Sequence, residues 1–372
     1  MDESVPTARG PRPRAFGVRI GTLVPGPENA ITDVVGVTVG HLTVWRDEPE
    51  PPAGRGIART GLTAILPGPA ATLFDKPVPA GAAVLNGAGE LTGFLQISEW
   101  GLLETPIYLT STMAVGRVFD GAVTAACAAD PRVGVDDVVI PVVGECDDSW
   151  LNDPRTVQVE RDDVARALQD ATPGAVAEGC VGAGTGMTAF DWKAGIGTAS
   201  RRLPDLDATV GVLVLANFGV ASQLTIDGVH VGRTLDPASQ TRPKPAGSCI
   251  VVVATDAPLA SRQLERVARR AGLGLARTGS VAHHGSGEIF LAFSTRRYPR
   301  DTDETRIAIE LVPDAHLDEL FAATVEATEE AVINALWAAV DTAGRDGRVV
   351  PALPHDELLR LLEASGRLQS RQ

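Results

Sequence analysis

Residues 248–256 read S-C-I-V-V-V-A-T-D, a short apolar run rich in β-branched side chains. Such a run predicts a strand that is buried on both faces of a sheet. The residues before it, 234–247, read T-L-D-P-A-S-Q-T-R-P-K-P-A-G, and a polar, proline-rich segment cannot join a central sheet. We therefore expect 234–247 to lie on the surface and the chain to enter the interior at the Gly247-Ser248 bond.

The composition is that of a globular protein. The 372 residues are 44% hydrophobic and 22% charged, with a net charge of −14, which is sufficient for a large core. Nucleic acid and anionic membranes favour basic patches, so neither is expected as a partner. The four cysteines form no C-x-x-C pair, and the sequence shows neither a signal peptide nor an 18-residue apolar stretch. These features predict a cytoplasmic protein with reduced thiols.

Apolar periodicity predicts strands and helices in mixed order, without strict alternation of the two. Strands are expected at 31–41, 60–66, 105–110, 138–144, 209–219, 248–256 and 289–294. Helices are expected up to Trp100 and at 113–128, 161–171, 258–272, 314–343 and 355–364, with Asp314 as the N-cap of the longest one. This order favours sheets layered with helices.

Three familiar site motifs are weak in this chain. The glycines of G-A-G-T-G-M at 182–187 depart from the dinucleotide pattern G-x-G-x-x-G, so tight turns beneath an active site explain them better. His283 and His284 are adjacent and the other histidines are isolated, which argues against a catalytic metal. A Ser-His-Asp triad would need a G-x-S-x-G elbow, and only the histidines near Ser286 suggest one. We expect no metal and no cofactor.

Ser248 stands where a residue that cuts its own chain would stand. A serine hydroxyl is a poor nucleophile without a base, but attack on the Gly247 carbonyl would shift the acyl group from nitrogen to oxygen, and water would then release the upstream segment. The new α-amine, with a reference pKa of about 7.7–8.0, suits proton transfer at neutral pH. Gly247 would help because it tolerates a strained backbone. Gly-Ser before a strand is also common, so these residues alone leave both interpretations open.

Many short motifs between residues 26 and 294 occur in the order found in one enzyme family. They are D-V-V-G-V-T-V-G-H at 33–41, T-G-L-T-A-I-L-P at 60–67, N-G-A-G-E-L-T-G at 86–93, E-W-G-L-L-E-T-P-I at 99–107, P-V-V-G-E-C at 141–146, L-N-D at 151–153, G-A-G-T-G-M at 182–187, K-A-G-I-G-T-A-S-R at 193–201, A-N-F-G at 216–219, G-S-C-I-V-V-V-A-T-D-A-P-L at 247–259 and H-G-S-G-E-I at 284–289. In these motifs the chain resembles the DmpA/BapA family of self-processing aminopeptidases (peptidase family P1, the L-aminopeptidase/D-esterase or β-peptidyl aminopeptidase family).

The resemblance implies roles for five residues. Ser248 matches the family's nucleophile, which is also the first residue of the small subunit. Ser286 and Glu288 match the serine and glutamate that are hydrogen-bonded in series to the nucleophile. Being two residues apart on an extended segment, they are expected to point the same way and to face the nucleophile together. Asn217 matches the side-chain amide of the oxyanion hole, and Glu145 matches the carboxylate that holds the free ammonium group of the substrate.

The resemblance also implies a fold and an assembly. The expected fold is of the α/β class, a four-layer α/β/β/α sandwich similar to the Ntn hydrolases but with its own strand connectivity. Residues 1–372 would form a single catalytic domain, cut into a large subunit, 1–247, and a small subunit, 248–372. The cleaved units would assemble into a homo-oligomer, a tetramer or larger. The implied substrates are short peptides, amides or esters that carry a free amine.

One departure and two alternatives remain at this point. Residues 146–148 read C-D-D where family members often carry an aromatic or other polar residue, so the extra acid leaves the substrate preference open. One alternative is an acyltransferase on a related fold, although the ornithine acetyltransferase family uses threonine where this chain has Ser248. The other is a non-catalytic homologue that stays uncut, against which the complete set of Ser248, Ser286, Glu288 and Asn217 speaks.

Overall fold

Two mixed β-sheets form the centre of the protein, which we describe from a computed structural model covering residues 10–235, 237, 247–297 and 305–368. The strands are Thr38–Asp47 (β1), Ile57–Leu66 (β2), Val78–Gly87 (β3), Leu102–Leu103 (β4), Ile107–Ser111 (β5), Val142–Cys146 (β6), Thr188–Ala189 (β7), Trp192–Lys193 (β8), Ile196–Leu203 (β9), Ala208–Asn217 (β10), Gly247–Thr255 (β11), Ser286–Ser294 (β12), Thr342–Ala343 (β13) and Val349–Val350 (β14). One sheet has the strand order β1-β2-β5-β6 and the other has the order β4-β3-β12-β11-β10-β9.

Helices cover the outer faces of both sheets. The helices of the described residues are Ala70–Leu73 (α1), Phe94–Trp100 (α2), Val115–Ala129 (α3), Asp163–Gln169 (α4), Ser261–Arg277 (α5), Leu317–Trp337 (α6) and His355–Ala364 (α7). Apolar side chains of α3 and α4 pack on the four-stranded sheet, and those of α5 and α6 pack on the six-stranded sheet. A third apolar cluster fills the space between the sheets. The predicted α/β/β/α layering is therefore confirmed.

The strand predicted at 248–256 is confirmed as β11, and all nine of its residues are buried. Ile250 and Val252 point into the space between the sheets, whereas Val251 and Val253 point toward the helices. Because both faces of the strand are covered, the sequence reads as an unbroken apolar run without alternation. The neighbouring strand β10, predicted at 209–219, is confirmed for the same reason.

The six-stranded sheet interleaves strands from the two sides of residue 247. Strands β11 and β12 pair in parallel with each other. β10 flanks them on one side and β3 on the other, and both of these come earlier in the chain. Of the segment 234–247 that was expected on the surface, only residues 234, 235, 237 and 247 are described, and Leu235 and Gly247 are buried. The rest of that prediction lies outside the described residues.

Several predicted elements were wrong in extent. The strand expected at 31–41 begins only at Thr38, because Asp33 accepts backbone hydrogen bonds from Glu28 and Ala30 and so stabilises a turn instead. The helix expected at 314–343 covers Leu317–Trp337. Asp314 is not its N-cap, since its carboxylate is bound by Gln263 and Arg266 of α5. Within the described residues, no helix is long and apolar enough to cross a membrane.

Candidate active site

Ser248 is the second residue of β11 and is buried, with 5% of its surface exposed. Its Oγ donates a hydrogen bond of 2.8 Å to the carbonyl oxygen of Gly247. Across the sheet, Ser248 is paired with Asn217 at the end of β10 and with Gly287 on β12. The hydroxyl therefore lies beside the carbonyl that it would attack, at the end of three adjacent strands.

Only glycine fits at position 247, because the surrounding atoms leave no room for a side chain. A Cβ atom at this position would lie 2.3 Å from the carbonyl oxygen of Asn217 and 2.8 Å from the Cα of Phe218. The backbone of Gly247 is in the extended strand and not in the left-handed region. The expectation that Gly247 provides a strained conformation was therefore wrong, and its role is to let two backbones approach closely.

Ser286 and Glu288 lie on β12 and are both buried. Being two residues apart on a strand, they share a face, and the Ser286 hydroxyl donates a hydrogen bond to the Glu288 carboxylate. Burial raises the pKa of Glu288, while the Ser286 hydrogen bond acts in the opposite direction. Oε2 of Glu288 has no hydrogen-bond partner within the part of the chain that is described.

The register of the strands decides what this pair faces. Ser286 is paired with Gly247, and Glu288 is paired with Cys249. Paired residues point to the same face of a sheet, so Ser286 and Glu288 lie on the face of Cys249 and the Ser248 side chain is on the opposite face. The pair thus stands beside the peptide between Gly247 and Ser248, and the expectation that it faces the Ser248 side chain is not met by this register.

Asn217 is fully buried and its side-chain amide is held at both ends. Its Oδ1 accepts a 3.0 Å hydrogen bond from the backbone N–H of Thr188, and its Nδ2 donates at 2.9 Å to the carbonyl oxygen of Asp147. These partners determine which end is oxygen and which is nitrogen. Within the described residues, one of the two amide hydrogens has an acceptor.

Glu145 lies inside β6, although it was predicted to follow the strand. Pro141 accounts for the late start of the strand, because a proline has no N–H for the ladder and the strand begins after it. Glu145 is 3% exposed, and its carboxylate accepts hydrogen bonds from the Glu90 backbone N–H at 2.9 Å and from the Thr112 hydroxyl. Burial raises the pKa of Glu145, and these two hydrogen bonds oppose the rise.

The Glu145 carboxylate is close to the end of the strands that carry Ser248. A Cβ atom on Gly89 would lie 3.1 Å from Oε1 of Glu145 and also 3.6 Å from the Cα of Gly287. Gly287 is the ladder partner of Ser248. The five residues predicted from the sequence thus lie near this end of the strands, with Glu145 on the other sheet, but Ser286 and Glu288 face away from the Ser248 side chain.

The weaker motifs have structural explanations. Gly182–Gly184 form a buried 3₁₀ turn, in agreement with the tight turns predicted for this motif. A Cβ on Gly184 would lie 2.4 Å from the backbone nitrogen of Ile196. Among the residues that the structure describes, no group of three or more potential metal ligands lies close together.

Residues 29–350 match the model of a protein family described as "Peptidase family S58". The chain belongs to this peptidase family. Among the relatives of this S58 peptidase, the beta-peptidyl aminopeptidase BapA of Sphingosinicella xenopeptidilytica is 42% identical, and the match covers 95% of this chain and 92% of that protein. The resemblance to the DmpA/BapA family is therefore confirmed.

Two solved structures are similar to this S58 peptidase over nearly its whole length. The PH0078 protein of Pyrococcus horikoshii OT3 has a TM-score of 0.90 at 45% identity, covering 96% of this chain and all of that one (100%). The L-aminopeptidase D-Ala-esterase/amidase of Ochrobactrum anthropi has a TM-score of 0.90 at 39% identity, covering 97% and 100% of the two chains. That enzyme is described as a prototype of the serine aminopeptidases and a variant of the Ntn hydrolase fold. The chain is accordingly a serine-type aminopeptidase.

The two aspartates after Cys146 are adjacent in sequence, but their environments differ in the structure of this S58 peptidase. Asp147 is exposed, whereas Asp148 is fully buried. Oδ1 of Asp148 accepts hydrogen bonds from Ser111 at 2.8 Å and from Asn152 at 3.1 Å. Burial raises the pKa of Asp148 to about 7. Only Asp147 is therefore placed to add negative charge to the solvent side of the site.

Asp148→Asn is expected to stabilise the folded enzyme above pH 7. The folded-state pKa of about 7 lies above the unfolded value of about 3.9, so the contribution of this group to stability is present below pH 4 and is lost as pH rises to 7. Asparagine carries no charge to bury, and the gain at pH 8 is expected to reach as much as about 4 kcal/mol. The free energy of unfolding, measured in urea from pH 4 to 8, tests this.

The exposed Asp136 supplies the matched control, because Asp136→Asn makes the same chemical change outside the core. Its stability curve is expected to follow that of the wild-type enzyme. A wild-type and an Asp148→Asn enzyme that lose stability in parallel between pH 4 and 7 would contradict the assignment of this titration to Asp148.

Proposed function

We propose that this S58 aminopeptidase activates itself by cutting the Gly247-Ser248 bond and that Ser248 is then its N-terminal nucleophile. The observation that carries the proposal is the 2.8 Å contact between the Ser248 hydroxyl and the carbonyl oxygen of the residue before it. That contact lies at the buried end of a central strand, beside Asn217.

Self-cleavage proceeds by an acyl shift. Oγ of Ser248 attacks the carbonyl carbon of Gly247, the bond from that carbon to the Ser248 nitrogen breaks, and the nitrogen takes up the hydroxyl proton to become an amine. Water then hydrolyses the ester between Gly247 and Ser248. The products are a carboxylate on Gly247 and a free α-amine on Ser248.

In the cleaved enzyme, the α-amine of Ser248 is the general base. Its reference pKa of about 7.7–8.0 suits proton transfer near neutral pH. Ser286 is paired with Gly247, and it donates a hydrogen bond to Glu288. Because Ser286 is the ladder partner of the residue before the proposed amine, we assign Ser286 and Glu288 to orienting the amine and stabilising its protonated form.

Asn217 and Glu145 bind two charged groups of the reacting substrate, the oxyanion and the ammonium group. The Asn217 amide stabilises the oxyanion of the tetrahedral intermediate, a contribution worth about 10²–10³ in kcat for a single donor. Glu145 binds the free ammonium group of the substrate, which would otherwise be buried without a partner.

The substrates that we propose are short peptides, amides or esters with a free N-terminal amine. The names of two relatives, a beta-peptidyl aminopeptidase and an L-aminopeptidase D-Ala-esterase/amidase, support this class. Assembly of the cleaved units into a tetramer or larger oligomer remains a prediction.

Intact mass under denaturing conditions tests self-cleavage. The proposal expects two species, residues 1–247 and 248–372. A single chain of 372 residues that hydrolyses amine-bearing substrates at full rate would contradict it.

Glu145→Gln is expected to raise KM for amine-bearing substrates by roughly tenfold to a hundredfold, the loss typical of one hydrogen bond to a charged group. kcat is expected to change less, because the ammonium group is bound before and during the reaction. Steady-state kinetics with an amino-acid p-nitroanilide measure both constants. Glu90→Gln is the matched control, since Glu90 is an exposed neighbouring carboxylate. Unchanged KM in Glu145→Gln would remove Glu145 from the site.

A further inference from the structure

Lys193, on the short strand β8, is buried with 0% of its surface exposed. Its ammonium group donates hydrogen bonds to three backbone carbonyl oxygens, those of Ala194 at 2.6 Å, Met187 at 2.8 Å and Gly184 at 3.2 Å. A buried ammonium group is costly to desolvate, and three carbonyl dipoles offset part of that cost. Lys193 belongs to one of the motifs that carry the family resemblance, but the resemblance assigns it no role.

One of these carbonyls belongs to the peptide that holds Asn217. The Met187 carbonyl and the Thr188 N–H are the two ends of a single peptide unit, and that N–H donates to Oδ1 of Asn217 at 3.0 Å. The C=O and N–H of a trans peptide point in opposite directions. The Lys193 ammonium and the Asn217 amide are therefore joined in series through one peptide group.

This arrangement has two consequences for Asn217. The Lys193 ammonium group fixes the position of the peptide between Met187 and Thr188. The N–H of that peptide in turn fixes the orientation of the Asn217 side-chain amide. The positive charge also polarises the peptide, because hydrogen bonds in a chain strengthen one another in a low-dielectric interior. A stronger bond at Oδ1 withdraws electrons from the amide, so the N–H groups on Nδ2 become better donors.

We propose that Lys193 is a positioning residue for the oxyanion hole, acting on Asn217 through the Met187–Thr188 peptide. The proposal rests on the oxyanion role assigned to Asn217 above. Lys193 is not expected to touch the substrate, and its effect on the reaction is transmitted entirely through the Asn217 amide.

A double-mutant cycle tests the proposal. Lys193→Gln keeps two N–H donors for the carbonyls but removes the charge. Lys193→Met removes the charge and all of the donors. Each is made alone and together with Asn217→Ala. Lys76→Met, at an exposed lysine, is the matched control. Thermal unfolding verifies that each variant is folded, and Lys193→Gln carries the test if the methionine variant is not.

In the wild-type background, Lys193→Gln is expected to lower kcat about tenfold, part of the 10²–10³ that an oxyanion donor supplies, with KM changed less than about twofold. In the Asn217→Ala background it is expected to lower kcat no further. Rates are normalised to the cleaved fraction, measured by intact mass. Where a variant accumulates uncut, the rate of self-cleavage is compared instead, since it needs the same donor.

If Lys193→Gln lowers kcat by the same factor in the wild-type and the Asn217→Ala backgrounds, the Lys193 proposal is overturned and the role of Asn217 stays intact. A Lys193→Gln enzyme with wild-type kcat would overturn the Lys193 proposal in the same way. An Asn217→Ala enzyme with wild-type kcat would overturn both the Lys193 proposal and the oxyanion role of Asn217, so the two failures are distinguishable.

Discussion

Ser248→Ala is expected to yield one intact chain of 372 residues without aminopeptidase activity. The substitution removes the atom that attacks Gly247, so neither the acyl shift nor the release of the α-amine occurs. Loss of a nucleophile of this kind lowers kcat by a factor on the order of 10⁶ in a serine peptidase. Intact mass and the rate of amide hydrolysis measure the two effects separately.

Ser248→Cys is the matched comparison, because it keeps a nucleophile at the same atom. The cysteine variant is expected to cut itself and to retain part of the activity, while the alanine variant does neither. A Ser248→Ala preparation that appears as two fragments of 1–247 and 248–372 would show that another group cuts the chain. A fully active uncut alanine variant would refute the role of Ser248.

Gly247→Ala is expected to slow self-cleavage by about a hundredfold, the cost of misplacing a reacting group by about 1 Å. The new methyl group would lie 2.3 Å from the Asn217 carbonyl oxygen, and this is a contact with backbone that no side-chain rotation relieves. The ends of β10 and β11 must separate, so the free energy of unfolding is expected to fall by about 1–3 kcal/mol. Mass spectrometry over time gives the cleavage rate.

Gly116→Ala is a suitable control for this prediction. Gly116 lies in α3, and a Cβ atom there would have no atom within 4 Å. Alanine is favoured over glycine inside a helix, so this variant is expected to cut at the wild-type rate and to be slightly more stable. Wild-type cleavage kinetics in Gly247→Ala would mean that the site tolerates the added methyl group and that close approach is not what requires glycine.

The central strands could be predicted from the sequence because burial on both faces leaves an unbroken apolar run. Strands β10 and β11 were found this way, and the layering of helices on sheets followed from the order of elements. Boundaries were less predictable where a local interaction decides them. The Asp33 carboxylate stabilises a turn by accepting hydrogen bonds from the backbone N–H groups of Glu28 and Ala30. Pro141 delays the start of β6 by lacking an N–H.

The candidate site was partly predictable for a similar reason. The spacing of Ser286 and Glu288 was enough to place them on one face, because side chains alternate along a strand. Which face Ser248 occupies depends on the register between β11 and β12. Both strands are buried at every position, so their apolar runs have no alternation that would specify this register. Nor does the sequence distinguish the buried Lys193 from a lysine on the surface, since its acceptors are backbone carbonyls without a residue type of their own.

The order β3-β12-β11-β10 in the larger sheet has a consequence for the lifetime of the enzyme. A cut before Ser248 leaves the small fragment with two inner strands, each hydrogen-bonded to the large fragment. The precursor folds as one molecule, whereas the cut protein, once unfolded, must find its partner fragment in solution, and its recovery then depends on concentration. If the chain is cut as we propose, refolding is no longer unimolecular. The lifetime of the cut enzyme is then expected to depend on the height of its unfolding barrier and not on its equilibrium stability.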